Sequence, residues 1–449
     1  MGMTHNETFA KFYGQGSYFM PKMGEYHLKA FAIVLFAATY LGMIGLPKRR
    51  PLIAVGSAVI FVLSGLVKPS ALAGTIDFNV LMMLAGTMGT VSLFIESKMP
   101  SRMAEAILSH TPNVCLVVVA MSLFAGVVSA FVDNVATVLM IAPVGLAIAK
   151  KLGISPVAML ISIAVSSNLQ GAATLVGDTT SIMLGGHAGM DFLDFFFMDG
   201  KPSIFFAVEL GALATVPVML LLFRRERAPI PKPGRTEVTN YFPSILLLLN
   251  IVLLISASFI PNKPAITNGV ICLAVFAAGL IQSALRRDGV SAAVRAVREI
   301  DYQTLLLLAG LFVVIEGITA AGVIDDISAL FVRLGGSNLF LLYSVIVWGS
   351  VLCSAFVDNI PYVATMLPVI SSIAAGLGCP PQLLYFGLLC GATLGGNLTP
   401  IGASANIAAI GVLRKNGYEV STRDFMRIGV PFTLVAVGMG YAFCWLVWA

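Results

Sequence analysis

Ser129-Ala130-Phe131-Val132-Asp133-Asn134 recurs letter for letter 225 residues later as Ser354-Ala355-Phe356-Val357-Asp358-Asn359, and each copy stands inside a long apolar stretch. A carboxylate at membrane depth is costly and marks function. The same register pairs Val138 with Val363, Pro143 with Pro368, Gly171 with Gly396, Thr174 with Thr399, Gly177 with Gly402 and Ile182 with Ile407. The chain therefore reads as two copies of one membrane unit.

Composition agrees. Apolar residues make up 58% and charged residues 11% of the 449, against about half and about a quarter in soluble proteins. The fold class is an all-α polytopic membrane protein. The first 27 residues are mixed polar, with Lys11, Lys22 and Glu25, and lack the compact apolar core of a signal peptide, so insertion is expected to begin with the first span. The six cysteines show no metal or redox spacing and read as packing residues. No Gly-x-x-x-x-Gly-Lys-Ser/Thr occurs, so nucleotide coupling would need another subunit. No nucleic-acid partner is expected.

Stretches of roughly 20 apolar residues cross a membrane, and about ten are placed at 28–46, 51–67, 78–96, 156–185, 203–223, 241–260, 266–285, 302–321, 382–413 and 429–448. The blocks 113–150 and 337–377 hold the repeated hexapeptide at their middles, and read as re-entrant hairpins whose arms meet at Asp-Asn. With that topology 20 of the 27 Lys and Arg fall on one side and 7 on the other, which makes the first side cytoplasmic. Each half then has five spans, an odd number, so the second is inverted relative to the first. The expected organisation is an N-terminal segment 1–27, a first inverted repeat 28–223, a Pro-rich and charged cytoplasmic linker 224–240, and a second inverted repeat 241–449. Each repeat carries one hairpin and one broken helix. Secondary transporters recurrently use this plan, with the substrate at the midplane where the copies meet.

The candidate binding residues lie at those interruptions. At the hairpin tips they are Asp133 and Asn134, and Asp358 and Asn359. In the first glycine-rich break they are Asn168, Gly171, Thr174, Gly177 and Asp178; in the second, Asn397, Thr399, Gly402, Ser404 and Asn406. Glycine and proline unwind a helix and free carbonyls for cations and amides for anions. Asp and Asn are also favoured helix caps, a structural role compatible with binding. All 27 Lys and Arg can be assigned to loops or span ends, so the site is net negative and sodium or protons are the expected ligands, with Asp133, Asn134, Asp358 and Asn359 the expected sodium donors. No resident cofactor is expected. Glu316 sits within 302–321, where the 225 register places an apolar residue opposite, and reads equally as a proton relay or a hydrogen-bonded core acid; Glu209 reads as interfacial.

At these motifs the chain resembles the ion transporter superfamily, most closely its arsenical pump, sodium/proton antiporter and P-protein permease branch, which is related to citrate and divalent anion:sodium symporters. The resemblance spans nearly the whole chain. It rests on Phe131-Val132-Asp133-Asn134 with Ala142-Pro143-Val144, Ala173 to Asp178, Phe356 to Pro361, and Gly395-Gly396-Asn397 through Asn406. It implies a homodimer, a scaffold domain, and a mobile domain carrying both hairpins and both broken helices in elevator fashion. Relatives commonly have Gly-Asp-Pro-Pro-Asn in the first break, where this chain has Gly177-Asp178-Thr179-Thr180-Ser181. The expected function is sodium/proton antiport in a bacterial or archaeal inner membrane, with a cation-coupled anion or oxyanion carrier (dicarboxylate, citrate or arsenite) as the alternative. A channel is disfavoured by two inverted hairpins around one site. An enzyme is disfavoured by the lack of any His-Glu metal motif or Ser-Lys/Ser-His pair at membrane depth.

Overall fold

The computed structural model describes residues 22–229, 236–286, 289–335 and 338–449. The N-terminal segment up to residue 21, and Lys232, Arg235 and Arg287 of the charge count, lie outside the described residues. The first half comprises α1 (Lys22–Gly45), α2 (Arg50–Leu63), α3 (Phe78–Glu96), α4 (Met99–Leu108), α5 (Val114–Ser129), α6 (Asn134–Leu152), α7 (Val157–Gly171), α8 (Thr179–Ala188) and α9 (Ile204–Leu222). The second comprises α10 (Phe242–Ser258), α11 (Thr267–Ala284), α12 (Gly289–Arg298), α13 (Tyr302–Ala320), α14 (Val323–Gly335), α15 (Leu339–Ser354), α16 (Asn359–Leu377), α17 (Gln382–Gly395), α18 (Ser404–Lys415) and α19 (Thr422–Trp448).

The repeat reaches the punctuation of the helices. Asn113 and Asn338 cap α5 and α15, accepting from Leu116 N at 3.0 Å and Leu341 N at 3.1 Å. Gly153 and Gly378 end α6 and α16 in the left-handed region, each at φ +65°, where a Cβ would be strained. Asp77 and Asp301 cap α3 and α13, but they are 224 residues apart, so the register slips by one in these two helices. Opposite Glu316 therefore stands Ser92 and not the apolar Val91.

The hairpins are re-entrant and open on opposite faces. One cavity is lined by Val114 and Val118 at the start of α5, Ile154 and Ser155 just after α6, Glu226 after α9, and Glu419 and Asp424 where α19 begins. Both ends of the first hairpin thus lie on the face where α19 starts. At the other end of α19, Trp445 packs on Phe340 of α15 and Trp448 on Phe386 of α17. Ser371, late in α16, meets Tyr385 there at 2.6 Å and His187 of α8 at 2.8 Å. Both ends of the second hairpin thus lie on the face where α19 finishes, its 27 residues spanning about 40 Å.

Eight helices among the described residues are long and apolar enough to cross a membrane, and two of them are the hairpin arms α6 and α16. Taking α7/α8 and α17/α18 as broken spans, with α1–α3, α9–α11, α13 and α19, gives the ten crossings in two inverted repeats.

The helices form two packing groups. In the framework group α3 lies on α11 and, by the same relation exchanged between halves, α13 lies on α2. Glycine permits both crossings: a Cβ on Gly86 would stand 2.6 Å from Cys272 O, and one on Gly310 would stand 2.7 Å from the Ala54 carbonyl carbon. Small residues give membrane helices this close approach. The hairpin group holds α5–α9 and α15–α19, in which α5 packs on α7, α15 on α17 and α9 on α19. The amphipathic α4 and α14 join the groups, touching both framework helices and hairpin arms.

Candidate functional site

Each hairpin turns where its Asp stops one helix from running into the next. Asp133 accepts from Val135 N and Ala136 N, both at 3.0 Å through Oδ2; Asp358 accepts from Ile360 N at 3.1 Å. The aspartates are therefore N-caps, which satisfies amides that the start of a helix leaves without a partner. Capping and exposure to a cavity occur together at both tips.

Each tip is held against the break of the following helix by the same contacts. The Thr174 hydroxyl donates to Ala130 O, and the Thr399 hydroxyl donates to Ala355 O. A Cβ on Gly177 would lie 2.5 Å from Gly171 O and 2.7 Å from both Ser129 O and Ala130 O. One on Gly402 would lie 2.5 Å from Gly396 O, 2.8 Å from Ser354 O and 3.0 Å from Ala355 O. Asn406 donates to Gly396 O at 3.1 Å and Thr399 O at 3.2 Å, closing the second break. Ser181, its counterpart, donates to Gly171 O at 3.4 Å.

The two halves are joined by amides. Asn134 Nδ2 donates to Asn168 Oδ1 at 3.1 Å and Asp178 Oδ1 at 3.4 Å. Asn168 Nδ2 donates in turn to Thr393 O at 2.6 Å and Asn397 Oδ1 at 3.1 Å, and Asn397 Nδ2 returns to Val165 O at 2.9 Å. Thr180 donates to Asp178 Oδ2 at 2.8 Å and lies 3.0 Å from the Thr393 hydroxyl. These side chains are buried, and each bond replaces solvation that the interior withholds.

Beside this network lies a cavity of about 480 Å³. Its lining includes Asn134, Thr179, Asn359 and Ser404, the first residues of α6, α8, α16 and α18. Four helix N-termini, each a partial positive charge, thus meet at one space. Carboxylates offset them: Asp133, Asp178 and Asp358 line the cavity, as do Glu299 and Asp301 at the framework end of α13. Glu299 accepts from Ser92 at 3.0 Å. Arg50, from the start of α2, places Nη1 2.7 Å from Asp358 Oδ2.

Of the residues picked out by sequence, Asp133, Asn134, Asn168, Asp178, Asp358, Asn359 and Ser404 line the cavity. Gly171, Thr174, Gly177, Asn397, Thr399, Gly402 and Asn406 stand behind it, holding tips to breaks or one half to the other. Sequence reasoning missed Arg50, Glu299 and Asp301. Arg50 was counted with the basic loop, and it does begin a span, but its side chain turns inward; the assignment of every basic residue to loops and ends therefore overstated the negative charge of the site. Asp301 was discoverable as the register partner of Asp77. Glu316 does not line the cavity, and Glu209 turns toward the first broken helix, accepting from Gln170 Nε2 at 3.3 Å.

Among the described residues no three His, Cys, Asp or Glu side chains converge into a metal cluster. The donors at the cavity are a mixture of carboxylate, amide and hydroxyl oxygens, the set that suits a hard, weakly held cation.

The sequence model described as citrate transporter matches residues 33–391 of this chain. An uncharacterised transporter of Mycobacterium tuberculosis is 30% identical over 428 residues, covering 92% of this chain and 98% of its own length. The human P protein is 27% identical over 452 residues, covering 82% of this chain and 53% of its own length. Among solved structures, the YdaH transporter of Alcanivorax borkumensis superimposes with a TM-score of 0.58 over 84% of this chain and 87% of that one. At 13% identity this is a likeness of fold.

Proposed function

We propose, from the premise that this chain belongs to the citrate transporter family, that it is a cation-coupled secondary transporter exchanging sodium for protons. The observation that carries the reading is the charge of the cavity: five carboxylates line it, Asp133, Asp178, Asp358, Glu299 and Asp301, and among the described residues one guanidinium, that of Arg50, pairs with them. Such a space concentrates cations and repels anions. Sodium and protons are cargo here, and no resident cofactor takes part.

Exchange needs only competition. Asp133 and Asp178 are neighbours in the first half, each already accepting backbone amides, and Asn134, Asn168 and Thr179 supply neutral oxygens beside them. A proton on either carboxylate removes the charge that holds sodium, and sodium bound between them disfavours the proton. One ion therefore leaves as the other arrives. The hairpin group would carry this site across the membrane against the framework group, with the two hairpins as gates on opposite sides and the framework as the interface of a homodimer. The basic linker 224–240, between repeats 28–223 and 241–449, would face the cytoplasm, which makes the cavity beside Glu299 and Asp301 an inward-facing one.

The test is purified protein in liposomes carrying an internal pH dye, challenged in turn with sodium, lithium, potassium, arsenite and citrate. A dye response to sodium or lithium alone supports antiport. Silence to every cation given alone, followed by a response once an anion is added, sinks it. That second outcome is the anion-carrier reading, which is favoured by the four helix N-termini at the cavity and by the family's description as citrate transporter.

A further inference from the structure

The hairpin tips share six residues but not their counter-ions. Asp358 has a guanidinium at 2.7 Å, and the donor belongs to the other packing group. Arg50 opens α2, and its Nε donates to Met43 O at 3.2 Å near the end of α1, so the guanidinium is tied to the framework. The pair is mostly sequestered, with side-chain exposures of 21% for Arg50 and 13% for Asp358. A second framework contact lies beside it, where the Tyr40 hydroxyl donates to Pro361 O at 2.6 Å and meets Thr365 of α16.

We propose that the Arg50 guanidinium is a tethered cation that fills the Asp358 site while the cavity faces the cytoplasm, and that a free cation such as sodium replaces it once the hairpin group moves away. This rests on the mobile-hairpin reading above. Arginine cannot shed its proton, so where it sits no second cation is required, and a sodium ion arriving from outside at Asp358 is displaced into the cytoplasm. When the hairpin group travels outward, Arg50 stays with α1 and α2. Asp358 then stands unpaired at membrane depth, a costly state that a cation from the outer solution relieves. The other charges facing the space, Asp133, Asp178, Glu299 and Asp301, are all acidic and offer Asp358 no substitute. Among the described residues no cation is paired with Asp133 or Asp178, so these carboxylates depend on solution cations in both orientations.

The experiment is sodium titration of thermal stability on purified full-length protein, with a bulky organic cation holding ionic strength constant. If Arg50 occupies Asp358 about nine-tenths of the time, Arg50→Gln lowers the sodium concentration for half-maximal stabilisation about tenfold, and Arg50→Lys does so less. The gain disappears in Arg50→Gln/Asp358→Asn, whose half-maximal sodium concentration is no lower than that of the wild type because the freed carboxylate is gone. An Arg50→Gln curve lying on the wild-type curve overturns the proposal, and so does a gain that survives in the double variant. If Arg50→Gln fails to fold, Arg50→Lys decides, because its single ammonium leaves Asp358 open more often: a sodium curve lying on the wild-type curve overturns the tethered cation. The titration reads binding and not exchange. Absent cation flux in wild-type liposomes overturns the antiport reading and leaves this test standing.

Discussion

The first hairpin tip and its broken helix bring two carboxylates to the cavity, Asp133 and Asp178, with no cation paired to them among the described residues. The second tip and break bring Asp358, already beside Arg50 of α2, and have Ala403 before α18 where the first have Asp178 before α8. Yet the backbone is the same on both sides: the threonine clamps, the glycines under the tips, the capping asparagines and the terminal glycines all match at 225 residues. The repeat therefore carries the geometry of two hairpin tips, while charge is distributed unequally upon it. On the cation-exchange reading, the first tip, with formal charge near −2, takes a solution cation in both orientations, and the second, near 0 while Arg50 is docked, takes one only when Arg50 has left.

The largest effect expected is on that inequality. Asp133→Asn and Asp178→Asn each keep a cap for the following helix but lose the charge, and should lower cation exchange in liposomes by about 100-fold or more, equivalent to ~2.7 kcal/mol. Asp358→Asn should also impair exchange, because it leaves the Arg50 guanidinium without its partner, but adding Arg50→Gln should restore part of the rate. No second change at Arg50 should rescue Asp133→Asn. Equal rescue of both would erase the distinction between the halves.

Where the halves agree, substitutions should cost the same in each. Gly177→Ala and Gly402→Ala drive a methyl into backbone carbonyls at 2.5 to 3.0 Å, with no flexible side chain to yield. Each should lower thermal stability by about 1–3 kcal/mol and reduce transport through misplaced tips. A Gly402→Ala protein as stable as the wild type would show that the second tip is looser than the first.

The fold was legible because its decisive signals are local and repeated. A six-residue identity, apolar stretches of membrane length and an uneven distribution of Lys and Arg need no knowledge of long-range contacts. The tips and breaks were legible for the same reason, since Asp-Asn and clustered glycines interrupt helices wherever they occur. Arg50 was not: it lies in Lys48-Arg49-Arg50, a run that reads as a solvated loop, and only the approach of the second hairpin tip to the start of α2 turns one of the three inward. Asp301 and Glu299 were missed because they precede a span, and a residue just outside an apolar stretch gives no sign that the neighbouring group will leave a cavity over it.

A smaller effect should come from the clamps. Thr174→Val and Thr399→Val each remove a hydroxyl that donates to a tip carbonyl, Ala130 O or Ala355 O, and each leaves that carbonyl without this donor. The loss should be about 1 kcal/mol at either position, read as matched drops in thermal midpoint. A difference of several degrees between the two would locate strain in one gate only.

The smallest effect is expected at the acid that the repeat does not share. Glu316 stands in α13, 15 residues beyond Asp301, which at the helical rise is about 22 Å along the axis from the cavity end. It is half-buried, and among the described residues it forms no hydrogen bond or ion pair. The side of α13 that touches α2 is occupied by Gly310 and Gly317, the latter against Phe61, so the carboxylate does not support that crossing. A proton relay requires neighbours within hydrogen-bond reach on both sides, and Ser92, its register partner, is bound to Glu299 at the other end of the framework. Glu316→Gln should therefore leave sodium-dependent proton flux within about twofold of the wild type, a change of ~0.4 kcal/mol or less, across the pH range in which Asp133→Asn is inactive. A loss approaching that of Asp133→Asn would place a proton path through the framework, and the inequality between the two tips would then no longer decide where protons bind.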